Sequence, residues 1–292
     1  MSGPNSNTPR TCFITGASRG LGQVLAQQFW VSGWSLILTS RSVQDLEQTV
    51  AGFETRADQH VHCLAADLAN PDAVEQLIIQ AQQRVPNIHA LINNAAIQGP
   101  IGQASQNDWL AWHQTLQVNL MAPVRLCQHV VTWMERTVTH GSIINLSGGG
   151  ATGPRPHFSA YATAKAGLVR FSETLAEEVR ANHIRVNCVA PGVMNTAMLQ
   201  SVAQAGASLA GEKEVRVALN AATQAEDTLL RVAELCLFLA SPASSGITGK
   251  LISAVWDNWA TWPHHLDELN RSDAYTLRRI VGKDRQLAWG DK

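Results

Sequence analysis

Short apolar runs alternate with stretches of helical spacing along the first 255 residues. The candidate strands are Thr11–Thr15, Ser35–Thr39, Val61–Ala65, Ala90–Asn93, Ser142–Leu146, Arg185–Ala190 and Leu251–Val255. They are nearly continuously apolar, as strands buried on both faces should be. Helical spacing fills the intervals, as at Leu21–Ser32, Val43–Arg56, Pro71–Arg84, Trp109–Arg136 and Leu168–Ala181. Strand and helix at this interval predict right-handed βαβ units. The expected fold class is α/β, a doubly wound parallel sheet of about seven strands with helices on both faces.

Composition narrows the picture without changing it. Hydrophobic residues make up 45% of the 292 and charged residues 15%, which excludes a disordered chain. The net charge of −1, with no basic stripe, argues against a nucleic-acid partner. The short polar start, residues 1–9, lacks the apolar segment of a signal peptide, and no apolar stretch reaches membrane-spanning length. Cys12, Cys63, Cys127, Cys188 and Cys236 sit in or beside apolar runs without metal-ligand spacing, so no metal site is expected. These features together predict reduced thiols and a cytoplasmic location. One domain over residues 10–255 is the simplest division, followed by a tryptophan-rich extension, residues 256–292.

The first strand runs into Thr15-Gly16-Ala17-Ser18-Arg19-Gly20-Leu21-Gly22 and then a helical pattern. Glycines let a backbone approach a ligand closely, and the helix start offers free N–H groups to a phosphate. The second strand ends in Thr39-Ser40-Arg41-Ser42 with no acid to hold an unphosphorylated adenosine ribose. Arg41, with Arg19 opposite, suits a 2′-phosphate instead. NADP(H) is the expected cofactor and NAD(H) the alternative.

Tyr161 and Lys165 stand four apart at the start of a helical pattern, which places them on one helix face. An ammonium beside a phenol favours the phenolate, and such a tyrosine can exchange a proton with a carbonyl or alcohol oxygen.

The glycine turn, Asp67 in Ala65-Ala66-Asp67-Leu68, Asn93-Asn94-Ala95-Ala96, Asn119, the Tyr161/Lys165 pair and Pro191-Gly192 occur in that order. This ordered set over residues 10–255 resembles the short-chain dehydrogenase/reductase family, in particular its 3-oxoacyl-ACP-reductase-like members. The resemblance implies a Rossmann fold and an oxidoreductase moving a hydride between nicotinamide and a carbonyl/secondary alcohol pair. Tyr161 would be the acid/base, and Lys165 would hold the nicotinamide ribose and lower the Tyr161 pKa. Asn119 would hold a relay water. Gly16, Ser18, Arg19, Gly20, Leu21 and Gly22 would cradle the phosphates. Asp67 and the Leu68 backbone would meet the adenine, and Asn93 and Ala95 would line the cleft. Pro191, Gly192, Val193 and Thr196 would contact the nicotinamide half. The resemblance also implies a homodimer or homotetramer, joined through the Trp109–Arg136 pattern and the helix of Tyr161.

One position departs from the family. Its catalytic serine precedes the tyrosine by about thirteen residues, which here falls on Gly148 in Ser147-Gly148-Gly149-Gly150. Either the glycines let Ser147 reach the substrate, or the hydroxyl is missing and Thr152, Ser159 or a water replaces it. In the second case the chain would be a slow reductase or a nucleotide-binding, regulatory protein on the same fold. The segment Asn195–Thr228 is expected to cover the substrate as a mobile lid, or to be a plain surface excursion. Trp256, Trp259 and Trp262 recur every third residue, a spacing that serves packing on the body or on a second subunit, or a substrate platform.

Overall fold

The computed structural model describes residues 9–138, 140–221, 227–287 and 289. Seven parallel strands form one sheet in the order β3-β2-β1-β4-β5-β6-β7. They are β1 (Thr11–Thr15), β2 (Ser35–Ser40), β3 (Val61–Ala65), β4 (Ala90–Asn93), β5 (Gly141–Leu146), β6 (Ile184–Ala190) and β7 (Leu251–Ser253). Along β1, Cys12 and Ile14 join one core and Phe13 the other. Ile37 of β2 likewise faces away from Leu36 and Leu38. That alternation gives the central strands two buried faces, which is why they read as unbroken apolar runs, whereas the edge strands β3 and β7 are mostly half-buried, contrary to the expectation that all seven would be buried on both faces.

One face carries α1 (Gly20–Val31), α2 (Val43–Val50) and α9 (Asp227–Ala240). The other carries α3 (Pro71–Arg84), α5 (Ala122–Thr137) and α6 (Ser159–Glu178). The long pattern after β4 is α4 (Trp109–Leu116), a π turn at Gln117–Met121, and then α5. The chain crosses from the β1 side to the β4 side of the sheet, and the crevice at that switch point opens at the carboxyl ends of the strands.

Several expected boundaries move. Helix α2 stops at Val50, well before Arg56, because the chain turns inward there: Phe53 stacks on Trp30 at 5.4 Å and Trp30 Nε1 donates to the Glu54 carbonyl. Strand β7 ends at Ser253, because the Ser253 hydroxyl takes the Val255 and Trp256 N–H groups into a turn. The Leu168–Ala181 pattern is the second half of α6, which ends at Glu178. The segment Asn195–Thr228, expected as a mobile lid or a plain surface excursion, is mostly two helices, α7 (Ala197–Ala210) and α8 (Glu212–Ala221), and reaches the start of α9; residues 222–226 lie outside the described residues.

The extension folds back onto the body. Its three-residue tryptophan spacing matches the period of a 3₁₀ helix at Trp259–His265, which puts Trp259 and Trp262 on one face. Trp262 is buried against the α1/α9 core and its ring lies 4.3 Å from that of Tyr275. Trp259 meets Phe238 of α9 at 5.2 Å, whereas Trp256 is 84% exposed. A short α10 (Leu266–Arg271) follows, and the buried Lys250 ammonium binds the Leu269 and Ala274 carbonyls. Tyr275 supplies a carbonyl to the Leu251 N–H, so the chain covers part of its own sheet edge. Trp262→Ala is expected to cost about 3 kcal/mol of stability. A loss below about 1 kcal/mol in urea unfolding would mean that the extension contributes little to the body.

Candidate active site

The crevice is a single cleft of about 550 Å³. Its walls come from the β1–α1 turn, the ends of β2 and β3, the loop after β4, the end of β5, α6 and the loop leading to α7. Gly16, Ser18, Arg19, Gly20, Leu21, Gly22, Arg41, Asp67, Leu68 and Ala95 line it. So do Ser147, Tyr161, Lys165, Pro191 and Thr196. Among the described residues no cluster of side chains could hold a metal.

The phosphate end is built from backbone. Gly16 has φ +66°, and a Cβ there would stand 2.8 Å from Ala95 Cα. A Cβ at Gly22 would overlap the Gly16 carbonyl and come within 2.7 Å of Asn94 Nδ2. The first turn of α1 has no side-chain cap and no acidic residue, so its N–H groups face the cleft unclaimed by a cap. Asn94 holds the turn closed: its Nδ2 donates to the Thr15 and Gly16 carbonyls at 2.9 and 3.1 Å. Thr15 Oγ1 accepts from the Asn94 and Ala95 N–H groups at 3.0 Å. Thr15 and Asn94 stand inside the quoted motifs, but nothing in the sequence gives them this clamping role.

Asn93 does not line the cleft. β-strand alternation turns it inward, where it is buried and its Nδ2 donates to Asn145 Oδ1 at 2.8 Å. Asn145 in turn donates to Ser172 Oγ at 2.7 Å, tying β4, β5 and α6 together. Gly192 and Val193 also lie outside the cleft lining: a Cβ at Gly192 would meet Val255, and Val193 is exposed. Asn119 sits in the π turn with its amide closed on Ile97, donating to its carbonyl at 2.8 Å and accepting from its N–H at 2.9 Å. Its side chain is thereby tied to the wall loop at Ile97. Insertions of this kind gather at functional sites, but sequence spacing does not reveal them.

At the other end, Tyr161 and Lys165 occupy the first turns of α6 and both are buried. Lys165 Nζ donates to the Leu146 carbonyl at 2.7 Å, and burial pulls its pKa down to about 8. Burial raises the Tyr161 pKa, opposed by the nearby Arg155 charge. The Lys165 nitrogen stands 5.7 Å from the Tyr161 ring centroid and serves the Leu146 carbonyl.

The glycine run has a packing reason. A Cβ at Gly148 would overlap Tyr161 Oη and stand 3.0 Å from its Cε1. Gly150 has φ +94°, and its missing Cβ leaves room for Ala162. Ser147 lines the cleft 4% exposed, and its buried Oγ has no hydrogen-bond partner. A buried unpaired hydroxyl is costly, so this one is available to a ligand. Thr152 is exposed, and Ser159 Oγ accepts from Trp112 Nε1 at 3.1 Å; neither is in the cleft lining. Of the tail tryptophans none reaches the lining either.

A parallel sheet with a glycine cradle at its switch point and a Tyr–Lys pair at the cleft's far end defines a dinucleotide-dependent oxidoreductase class. Residues 10–206 match the short chain dehydrogenase family, and the chain belongs to it. Members bind NAD(P) and act on the CH–OH/C=O pair. The chain is 34% identical over 249 residues to nodulation protein G of Rhizobium sp. (strain N33), covering 84% of this chain and 95% of that protein. It is 30% identical to the 3-oxoacyl-[acyl-carrier-protein] reductase FabG of Thermotoga maritima, covering 83% and 95%. Among solved structures, the KRED1-Pglu enzyme matches with a TM-score of 0.72 and 27% identity, over 83% of this chain and all of that one.

Proposed function

We propose that the protein is an NADP(H)-dependent reductase or dehydrogenase of a carbonyl/secondary alcohol pair, with Tyr161 as its acid/base. The observation that carries this reading is the continuity of one cleft from Arg41 and the glycine turn to Tyr161, Lys165 and Ser147. The nicotinamide, when bound, supplies the hydride.

The rest falls to the chain's own residues. Gly16, Gly20 and Gly22 leave backbone space for the pyrophosphate at the start of α1, and Asp67 and Leu68 bound the adenine side. Lys165 keeps ammonium protons beyond the one given to Leu146, and these suit ribose hydroxyls. Ser147 Oγ donates to the substrate oxygen while Tyr161 passes it a proton on reduction, or takes one on oxidation. Ser147 thus stands in for the family serine, consistent with its unpaired buried hydroxyl.

The phosphate preference rests on Arg19 and Arg41, both exposed at the cleft rim. Ser40 Oγ is taken up by the Ser42 backbone, which leaves the guanidinium groups as the 2′-phosphate ligands. Arg41→Ala is expected to raise the NADPH dissociation constant roughly tenfold and the NADH constant less than twofold. Equal weakening in titration calorimetry would remove the NADP assignment. The proposed setting is a cytoplasmic homo-oligomer. The α4–π–α5 face fits that role, since it leaves Trp109, Leu110 and Met121 exposed.

A further inference from the structure

Helices α7 and α8 lie over the Tyr161 end of the cleft. Val202 and Ala210 of α7 and Ala218 of α8 form one apolar cluster with Phe158 and Tyr161. Two glycines shape this cover: Gly206 breaks α7 with φ +75°, and Gly211, with φ +86°, joins α7 to α8. Such positions can absorb the backbone change of an opening motion.

A polar contact also ties this cover to the body. Arg155, in the loop between β5 and α6, donates from Nε at 3.0 Å and from a terminal nitrogen at 2.7 Å to the same oxygen of Glu214 on α8. The two side chains are 15% and 23% exposed, so the pair is largely shielded from water. Its guanidinium carbon also lies 3.9 Å from the Phe158 ring centroid and 5.7 Å from that of Tyr161. Gly150, at φ +94°, leaves room beside Arg155, because a Cβ there would stand 3.3 Å from Arg155 Cβ. Nearby, His157 holds φ +71°, an uncommon conformation for histidine, and gives its carbonyl to the Gly102 N–H. The loop is therefore shaped to hold Arg155 between the lid and the phenol.

We propose that the Arg155–Glu214 pair is the latch of the α7–α8 lid, and that Arg155 is a positioning residue whose guanidinium the closed latch holds beside Tyr161. The latch stands on geometry alone; the effect on proton transfer rests on the function proposed above. The positive charge favours the phenolate, the direction that opposes burial at this tyrosine.

Hydrogen exchange on the full chain tests the latch without a substrate. Arg155→Gln and Glu214→Gln should each speed amide exchange across residues 212–221 roughly tenfold, with β4 and β5 unchanged. The double variant Arg155→Glu/Glu214→Arg should recover most of the protection. Wild-type exchange in both single variants, or a double variant as fast as the faster single one, would overturn the latch. Turnover with NADPH and a ketone reduced by the wild-type protein tests positioning. The double variant closes the lid yet sets a carboxylate against the phenol, so kcat should stay at least tenfold down. Restored kcat would overturn the positioning role. A wild-type protein that binds no NADPH would overturn the proposed function and leave the exchange result standing.

Discussion

Tyr161→Phe is expected to lower turnover about 10²–10⁴-fold while the NADPH dissociation constant stays within about a factor of two. In the proposed reaction the phenol is the proton-exchanging group; it is buried at the end of the cleft, in one apolar cluster with Phe158 and the lid residues. Phenylalanine preserves the ring that joins the apolar cluster of Phe158, Val202, Ala210 and Ala218, so packing should survive. Lys165 is held by the Leu146 carbonyl and not by the phenol, so its place should survive too. What disappears is one exchangeable proton at the reacting oxygen. The check is steady-state NADPH oxidation with a panel of ketones, beside a fluorescence titration of NADPH. Full turnover in the variant would remove Tyr161 from the chemistry.

Gly148→Ser should impair the protein, although it restores the residue type that the family carries at this distance from its tyrosine. The new Cβ would overlap Tyr161 Oη and press on its ring carbons at 3.0 and 3.1 Å. The ring has little room to retreat, because it is buried with Phe158 and the α7–α8 residues behind it. Overpacking of this kind costs about 1–3 kcal/mol, and displacement of the phenol should cost at least tenfold in kcat/KM. Ser147→Ala should separately lower kcat about 10²–10³-fold, as loss of a donor to a developing oxyanion does. Thermal unfolding and kinetics on the two variants decide the question. A Gly148→Ser protein more active than the parent would mean that the natural chain lacks its hydroxyl donor. The weakly catalytic, nucleotide-binding reading would then be favoured.

Much of this site was legible because its chemistry is local. Gly16, Gly20 and Gly22 act through one strand-to-helix turn, and Tyr161 and Lys165 through one helical turn, so spacing along the chain stands for spacing in space. The errors share the opposite cause. Asn93 and Asn94 are adjacent in sequence, yet strand alternation sends one to the interior and the other to the glycine turn. Which of them faces the cleft depends on the register of β4 against β1 and β5. The π turn also ties Asn119 to Ile97, 22 residues away, a contact the sequence does not show. Arg155 carried no signal, because its partner Glu214 lies 59 residues further along the chain.

The extension divides in the same way. The sequence by itself determined that the tryptophans at 256, 259 and 262 keep a three-residue period, and the 3₁₀ turn at 259–265 keeps it. It also determined which short runs become strands of the sheet, since unbroken apolar runs cannot sit at a wet surface. Only the tertiary structure decided that Trp262 is buried while Trp256 stays in water, and that Gly148 is glycine because a phenol occupies the space of its side chain. The physical reason is range. Backbone preferences and periodicity act over a few residues and are written in the local string, whereas clearance, hydrogen-bond pairing and charge placement are set by groups that meet only when the sheet has closed.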